Sequence, residues 1–398
     1  MRALNETRPP WLWPRAAYIH IPFCAHHCGY CNFAVAVGLD DRIDAYLDAL
    51  EIELATLPEP QQVDTLFFGG GTPTYLAHRP LERLLRIVKR WFALSPGHEF
   101  SVEANPRGLD ADKLDLLASH GVNRLSLGVQ SFQRELLGVL ERDHVPDDVA
   151  RVVERIRPRV ACFSLDLIFG VPGQTRAAWR NDLEGAMALE PMHIATYGLT
   201  YEKGTRLWKQ REASEVAPLD EDTELQFYTD AMDLLAAGGF EHYEISNFAR
   251  PGHRCRHNQV YWANHAYFGF GVGAARYVDG VRELNTRDVR TYIKRLLAGE
   301  SPTFQSERLP PRDRAIETMA IQLRRADGIH REHFNVQTGI SLDELAGVKI
   351  AELVAQRLLR DAGASVALTR RGRCLADAVV EALIGSVQNP PAEGSGVA

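Results

Sequence analysis

Three cysteines lie within eight residues near the start of the chain, in the order Cys24-Ala-His-His-Cys28-Gly-Tyr-Cys31. Thiolates are the usual ligands of soft iron sites, and an iron-sulfur cluster normally takes four of them. A C-x3-C-x2-C loop supplies three, so one iron of a [4Fe-4S] cluster keeps a position for an exogenous ligand. The amino and carboxylate groups of S-adenosylmethionine (SAM) suit that position. The sequence therefore predicts that Cys24, Cys28 and Cys31 hold a [4Fe-4S] cluster that binds SAM.

The alternative for this loop is a zinc site that takes His26 or His27 as its fourth ligand. Structural zinc loops more often carry paired C-x2-C units, which favours the iron-sulfur interpretation. The other three cysteines, Cys162, Cys255 and Cys374, are far apart and do not suit a disulfide framework.

Other candidate ligand groups follow further apolar runs. The triple glycine of Phe68-Gly-Gly-Gly-Thr-Pro-Thr74 permits positive φ and close backbone approach, so its amides suit the methionyl part of SAM; alone, it is a tight turn. Glu103 is placed to hold a ribose hydroxyl or an ammonium group, although a lone Glu is more often exposed or a helix cap. Gln130 and the downstream Arg142 follow the next run. Asp166 interrupts the apolar SLDLIFG, and a buried carboxylate has to be paired or bound, with a salt bridge across a barrel as the alternative.

Six short β-branched and aromatic runs precede these groups, and amphipathic stretches such as Asp41–Leu57 and Pro80–Leu94 lie between them. The predicted strands are Ala16–Ile21, Thr65–Phe68, Glu99–Glu103, Arg124–Gly128, Ser164–Gly170 and His193–Leu199. The alternation is typical of parallel β/α units in an α/β fold. Six units are compatible with an incomplete barrel or an open doubly wound sheet, and in both the ligand sites lie at the carboxyl ends of the strands.

The chain divides into four predicted segments. Residues 1–240 form the β/α core, 241–310 a connecting region, 311–385 a helical, winged-helix-like domain and 386–398 a disordered tail rich in Gly, Pro and Ser. The terminal domain is predicted to contain helices at Ala315–Arg325, Leu342–Ala346 and Lys349–Ala362 and a short β-like run at Ser365–Thr369.

The composition of the 398 residues, 45% hydrophobic and 24% charged, is that of an ordinary globular protein. A net charge of -7 disfavours nucleic acid as a partner. The sequence contains no run of eighteen apolar residues and no secretory signal at its start, so we expect a cytoplasmic protein without a stable membrane anchor. The composition does not indicate an oligomeric state.

The stretches YIHIPFCAHHCGYCNF, FFGGGTPT, SVEANP, RLSLGVQSF and DLIFGVPGQT resemble the radical SAM proteins related to oxygen-independent coproporphyrinogen III dehydrogenase. The resemblance extends from Tyr18 to about Leu383. It implies a partial TIM-like (β/α)6 radical SAM barrel whose [4Fe-4S] cluster cleaves SAM to an adenosyl radical. By position, it also implies that SAM contacts Tyr18, Tyr30, Gly70, Gly71, Thr72, Glu103, Gln130, Arg142 and Asp166.

Two departures separate the chain from the dehydrogenase branch of that family. The dehydrogenase has a cysteine two residues beyond the third cluster cysteine, where Phe33 stands here, and a longer N-terminal extension than the seventeen residues before Tyr18. The stretch His257-Asn-Gln-Val-Tyr-Trp262 is instead similar to the HNxxYW signature of the haem-chaperone branch.

The residues of this stretch have the chemistry of a haem site. An imidazole such as His257 is a good axial ligand for haem iron, and Tyr261 and Trp262 offer flat apolar faces to a porphyrin. Arg254 and Arg256 are placed to pair with propionates. Cys255 is a rival axial ligand, although no proline follows it. The other alternative is a local hydrogen-bonding histidine beside aromatic residues that fill a core.

The resemblance implies a haem chaperone that carries haem as cargo to acceptor proteins such as respiratory cytochromes. Contact with the inner face of the membrane would then be transient and made through the acceptors. The alternative is an enzyme that decarboxylates the propionates of coproporphyrinogen III oxidatively, favoured by Gln130 and Arg142, which match positions around a second SAM in the dehydrogenase. A radical SAM enzyme acting on tRNA is disfavoured by the acidic charge balance.

Overall fold

The computed structural model describes residues 8–388. Its strands are β1 (Ala16–Ile21), β2 (Gln61–Gly70), β3 (Phe92–Ala104), β4 (Arg124–Gln130), β5 (Cys162–Phe169), β6 (His193–Gly198), β7 (Glu241–His242), β8 (Asn247–Ala249), β9 (Phe268–Phe270), β10 (Ala275–Val278), β11 (Val281–Asn285), β12 (Thr303–Glu307), β13 (Ile329–His330), β14 (Leu359–Asp361) and β15 (Ser365–Leu368). Its α-helices are α1 (Ile43–Leu54), α2 (His78–Trp91), α3 (Ala111–Ser119), α4 (Arg134–Val139), α5 (Pro146–Ile156), α6 (Arg176–Ala188), α7 (Arg206–Glu212), α8 (Glu221–Ala237), α9 (Arg256–Trp262), α10 (Val289–Leu297), α11 (Pro311–Gln322), α12 (Arg331–Thr338), α13 (Leu342–Ala355), α14 (Arg370–Cys374) and α15 (Ala376–Gln388).

Nine strands form the main sheet, in the order β7-β8-β6-β5-β4-β3-β2-β1-β9. Strands β1 to β6 are parallel and lie side by side in chain order. A doubly wound sheet would reverse its strand order at a switch point, and this sheet does not. The predicted α/β fold with a partial barrel of six β/α units is therefore confirmed.

Side chains alternate along these strands between the helical layer and the barrel interior. In β1, Ala17, Ile19 and Ile21 are fully buried in the large apolar core, whereas Tyr18 and His20 face the interior. In β5, Leu165 belongs to the same core, and its neighbour Asp166 faces inward. The interior is therefore polar, and it is lined by the residues that the sequence marks as candidate ligands.

The region between the barrel and the terminal domain contributes to the main sheet. Strand β8 pairs antiparallel with β6, and β9 pairs parallel with β1. The buried Glu53 carboxylate binds this region to α1, since it accepts hydrogen bonds from Tyr292 Oη (2.6 Å), Asn285 Nδ2 (2.7 Å) and Gly271 N (2.8 Å). The HNxxYW stretch, in the predicted connecting region, lies in helix α9.

The terminal domain packs helices α11, α12, α13 and α15 around a second apolar core and adds a three-stranded sheet in the order β13-β15-β14. The helix predicted over Lys349–Ala362 is wrong in its last part. Helix α13 ends at Ala355, Arg357 has a left-handed φ of 59°, and Leu359–Asp361 pairs with β15. Residues 386–388 of the predicted disordered tail form the end of helix α15, and residues 389–398 lie outside the described residues. Within residues 8–388, no helix has the length and hydropathy needed to cross a bilayer.

Candidate functional site

The cysteine loop follows β1 and is held from two sides by backbone hydrogen bonds. Gly29 N donates to Leu140 O (3.3 Å), and Leu207 N donates to Gly29 O (2.9 Å). Its three thiols are half-buried and close enough to influence one another's ionisation. Burial raises the pKa of Cys24 to about 11. A bound metal reverses this preference, because a coordinating thiol is deprotonated outright.

A chain of polar contacts connects the cysteine loop to the ends of β2 and β3 and to Arg142, which follows helix α4. Thr72 Oγ1, at the glycine turn after β2, lies 3.4 Å from Cys24 Sγ. Asn105 donates through Nδ2 to Thr72 Oγ1 (3.3 Å) and accepts at Oδ1 from Arg142 Nη2 (2.7 Å). Arg142 Nη1 in turn donates to Cys28 Sγ (3.3 Å). The first and second cysteines are thereby joined through Thr72, Asn105 and Arg142.

Asn105 is a site residue that the sequence analysis missed. It stands two positions after Glu103 in SVEANP, so its place at the same strand end was the signal that could have revealed it. The Nε atom of Arg142 is buried and has no partner among residues 8–388. A buried donor without a partner, on a guanidinium that already bonds to Cys28 Sγ, suits an anionic cluster whose further ligand carries a carboxylate.

The glycine turn places its backbone against both the cysteine loop and the barrel interior. Gly70 has a φ of 111°, and its amide donates to Glu103 Oε2 (2.9 Å). The amide of Gly71 donates to Ile21 O (2.8 Å), and a Cβ at position 71 would lie only 2.5 Å from Pro22 O. Glycine is therefore required here for close backbone approach.

Two buried carboxylates inside the barrel, those of Glu103 and Asp166, interact electrostatically. Burial raises the pKa of Glu103 to about 7, and the nearby Asp166 adds to the rise. Burial also raises the pKa of Asp166 to about 6, although it accepts hydrogen bonds from Ser126 Oγ (2.9 Å) and Ser164 Oγ (3.2 Å). The salt bridge considered for Asp166 is not formed within the described chain. These carboxylates are suitable acceptors for the hydroxyl and ammonium groups of a cofactor.

Gln130 and the two tyrosines complete the set that the resemblance assigned to SAM. Gln130 is in the left-handed region at φ 67°, next to a bulge in the pairing of β4 with β5, and such backbone strain in a non-glycine residue concentrates at functional sites. Tyr18 stacks on Phe67 inside the barrel, and its hydroxyl lies 3.1 Å from His20 Nδ1. Tyr30 packs in an apolar cluster beside the cysteine loop.

The two loop histidines bond to backbone carbonyls, and one of them also approaches a thiol. His26 Nε2 bonds to Glu141 O and lies 3.6 Å from Cys28 Sγ, and His27 Nε2 bonds to Cys31 O (2.9 Å). Across residues 8–388, no group of three His, Cys, Asp or Glu side chains converges on a single-ion site. Three thiols spread along one loop, with a free donor beside them, fit a cluster better than one ion.

The predicted haem residues lie at the opposite end of the barrel. Glu99, near the amino ends of the strands, accepts hydrogen bonds from the backbone amides of Arg256 (3.0 Å) and His257 (2.9 Å) at the start of α9. Arg124, the first residue of β4, is 3.7 Å from the same carboxylate and donates to His253 O (3.0 Å). Helix α9 therefore closes the base of the barrel, and the cysteine loop lies at its mouth.

His257 is buried and already fully hydrogen-bonded. Its Nδ1 lies 2.8 Å from Thr65 Oγ1 and its Nε2 2.8 Å from Tyr261 Oη, while the ring stacks on Phe67. Burial lowers the pKa of His257 to about 3, so the imidazole is neutral. Trp262 lies under the Arg324 guanidinium, 5.6 Å from it. The prediction that His257 binds haem iron stays a prediction, and in this conformation neither ring nitrogen is free to do so.

Comparisons with known proteins agree with the fold and with the resemblance. The model of the Radical SAM superfamily matches residues 18–185, and that of the HemN C-terminal domain matches residues 309–375. The chain is 37% identical to "Heme chaperone HemW" of Bacillus subtilis over 380 residues, covering 94% of this chain and 100% of that one. The chain belongs to the HemW family. The Escherichia coli HemW is 32% identical and covers 92% of this chain and 97% of its own.

A solved structure shows the same architecture at lower identity. Coproporphyrinogen III oxidase (HemN) from Escherichia coli, a radical SAM enzyme, superposes with a TM-score of 0.82 at 23% identity, over 96% of this chain and 93% of that one. The HemW family and this enzyme therefore share a fold. Membership of the radical SAM superfamily implies a [4Fe-4S] cluster and SAM for the HemW-family chain as well.

Proposed function

We propose that this protein is a haem chaperone, which binds haem as cargo and passes it to acceptor haemoproteins. The observation that carries the proposal is the similarity to "Heme chaperone HemW", which includes the whole of the Bacillus subtilis chain. Respiratory cytochromes are the acceptors that the resemblance implies. The proposed location is the cytoplasm, with transient contact with the membrane through these acceptors.

We also propose that Cys24, Cys28 and Cys31 ligate a [4Fe-4S] cluster and that SAM occupies the interior beside it. When bound, the reduced cluster would supply the electron that cleaves SAM to an adenosyl radical. The chain's own groups would bind and orient the cofactor, with the buried carboxylates of Glu103 and Asp166 available to accept hydrogen bonds from it. The support for this proposal is the network that joins Cys24 to Cys28 and leaves one buried donor of Arg142 unused.

Coproporphyrinogen III dehydrogenation is the second candidate, and the strained Gln130 beside Arg142 favours it. Phe33 disfavours it, because this side chain is 68% exposed at the position where the dehydrogenase carries a cysteine. An exposed phenylalanine at the rim of the cysteine loop does not have the chemistry of the thiol that it replaces.

One experiment separates the two candidates. The protein is reconstituted anaerobically with iron and sulfide and incubated with SAM, a reductant and coproporphyrinogen III, in parallel with the Cys24→Ala variant as a background control. We expect no protoporphyrinogen above that background, together with haem that stays bound through gel filtration. If coproporphyrinogen III turnover depends on Cys24 and the protein retains no haem, the function is that of the dehydrogenase and the chaperone proposal is wrong.

A further inference from the structure

A chain of hydrogen bonds leads from Asp166 to a buried tyrosine near the amino end of β6. Ser164 Oγ lies 3.2 Å from Asp166 Oδ1 and 2.8 Å from His193 Nδ1. His193 Nε2 in turn lies 2.9 Å from Tyr243 Oη. Ser164, His193 and Tyr243 are at most 3% exposed, so the contacts between them are shielded from bulk water.

The positions of the protons along this chain follow from the tyrosine at its far end. Burial raises the pKa of Tyr243, so its hydroxyl keeps a proton to donate. Among the acceptors of residues 8–388, only His193 Nε2 is hydrogen-bonded to that hydroxyl. Burial also lowers the pKa of His193, so the ring is neutral and carries its single proton on Nδ1. Nδ1 then donates to Ser164 Oγ, and the Ser164 hydroxyl donates to Asp166.

This tautomer leaves the Ser164 hydroxyl free to bind Asp166. If the ring carried its proton on Nε2 instead, Nδ1 would be an acceptor 2.8 Å from Ser164 Oγ and would compete with the carboxylate for the same proton. Burial raises the pKa of Asp166 to about 6, and the hydrogen bonds of Ser126 and Ser164 limit this rise. An ionised carboxylate is a stronger acceptor for hydroxyl and ammonium groups than a protonated one. The donor from Ser164 therefore favours the form of Asp166 that suits SAM.

Other charged or titratable groups interact electrostatically with Asp166 across the barrel interior, namely Glu103, Arg124, Arg142 and Tyr197. Against the effect of burial, the two arginines lower the pKa of Asp166, and Arg124 adds to the effect of burial on His193. Within residues 8–388, the hydrogen bonds of Ser164 and His193 join them only to each other, to Asp166 and to Tyr243. A substitution at Tyr243 therefore leaves the four other groups in place.

We propose that Tyr243 and His193 are positioning residues for SAM, because Tyr243 fixes the His193 tautomer that directs the Ser164 hydroxyl to Asp166. The inference rests on the proposed SAM site and adds two residues that act at a distance from the cofactor. Tyr243 also connects this chain to the terminal domain, since Ala326 N donates to Tyr243 O (2.9 Å). The carboxylate offered to SAM is thereby linked to the contact between the barrel and the terminal domain.

The test is the pH dependence of SAM affinity of the anaerobically reconstituted, full-length protein, measured by equilibrium dialysis between about pH 5 and pH 8.5. Tyr243→Phe removes the remote hydroxyl, and Ser164→Ala removes the donor on the carboxylate. Tyr228→Phe, whose hydroxyl donates to a backbone carbonyl (2.8 Å), is the matched control. Glu103 is present in every variant, so a difference between two profiles reports Asp166. The iron-sulfur absorbance and the circular dichroism spectrum show that each variant has folded.

We expect the SAM affinity of wild type to fall as the pH drops through about 6, where Asp166 takes up a proton. Ser164→Ala should move this midpoint upward by about one pH unit, which is about a tenfold loss of affinity below the midpoint. Tyr243→Phe should move it in the same direction by about half a pH unit, and Tyr228→Phe should not move it.

Double variants show whether Tyr243 acts through Ser164. Adding Tyr243→Phe to Ser164→Ala should cause no further shift of the midpoint. Adding it to Ser126→Ala, which removes the other hydroxyl donor to Asp166, should cause the full shift. A further shift in the Ser164→Ala background would show that Tyr243 acts by another route.

A spectroscopic measurement tests the tautomer itself. In nitrogen NMR of protein labelled at histidine, the His193 signals, identified by their loss in His193→Gln, should show the proton on Nδ1. The proton on Nε2 in wild type would overturn the proposal. So would a wild-type SAM affinity that does not change with pH, or a folded Tyr243→Phe whose midpoint equals that of wild type. If wild type binds no SAM at any pH, the proposed SAM site is wrong.

Discussion

Replacing Glu103 by Gln should stabilise the cofactor-free protein, and the gain should grow with pH. Burial raises the pKa of Glu103 from its ordinary 4.5 to about 7. The unfolded chain keeps the ordinary value, so below pH 4.5 neither state carries the charge, and above pH 7 the folded state bears the cost of burying it. The difference of about 2.5 between the two pKa values corresponds to about 3 kcal/mol, which wild type loses progressively as the pH rises from 4.5 through 7.

The assay is urea unfolding of the apoprotein, compared between wild type and Glu103→Gln near pH 5.5 and near pH 8.5. Because the pKa of Glu103 differs between the folded and unfolded states, the free energy of unfolding of the variant should exceed that of wild type by about 1 kcal/mol at the lower pH and about 3 kcal/mol at the higher. Glu154→Gln, at an exposed position on α5, should give no difference at either pH. The same Glu103→Gln variant should bind SAM more weakly, because the carboxylate is kept for the cofactor at the expense of stability.

A gain that is equal at the two pH values would mean that the variant acts through packing and not through the buried charge. A variant that is less stable than wild type near pH 8.5 would contradict the reasoning, since it would show that the protein stabilises the ionised Glu103. Either result would remove the physical argument that this carboxylate is held ready for a cofactor.

Three further predictions concern the cysteine loop and its neighbours. Cys24→Ala should abolish the iron-sulfur absorbance after reconstitution, whereas Cys374→Ala on the terminal domain should keep it; a full cluster in Cys24→Ala would contradict the ligand assignment. Gly71→Ala should weaken SAM binding by about tenfold or more in a calorimetric titration, because its Cβ would lie 2.5 Å from the backbone carbonyl of Pro22. Gly138→Ala is the control: open space surrounds this position, so the substitution should leave the free energy of unfolding unchanged or raise it by up to about 1 kcal/mol. Arg142→Gln should lower the reduction potential of the cluster in a redox titration, since it removes a cationic donor to a cluster thiol, and an unchanged potential would show that the guanidinium does not act on the cluster.

The strands of the barrel could be predicted because each is indicated by a short, continuous stretch of sequence. Short β-branched and aromatic runs are sufficient to place β1 and β5, and the parallel pairing of β3, β4 and β5 then brings Glu103 and Asp166 to one interior. The end of helix α13 was not predictable from periodicity, because the pairing of Leu359–Asp361 with β15 decides it and that contact is tertiary.

The position of the HNxxYW stretch shows the limit of reading a site from residue types. His257, Tyr261 and Trp262 have the chemistry of a haem site, but a sequence does not show which face of a helix is covered. In the structure, Glu99 binds the start of the helix and Thr65 binds the imidazole, and both come from strands distant in the chain.

The chaperone account is tested most directly by haem transfer. The haem-loaded, cluster-containing protein is mixed with an apo-cytochrome, and the appearance of the holo-cytochrome spectrum is followed. Free haem at an equal concentration and a haem-loaded variant with a substitution at an exposed position on α2, His78→Ala, are the controls. Transfer should be faster or more complete than with free haem, and equal for wild type and the His78→Ala variant. Haem that stays on the protein, or that reaches the cytochrome only as fast as free haem does, would contradict it.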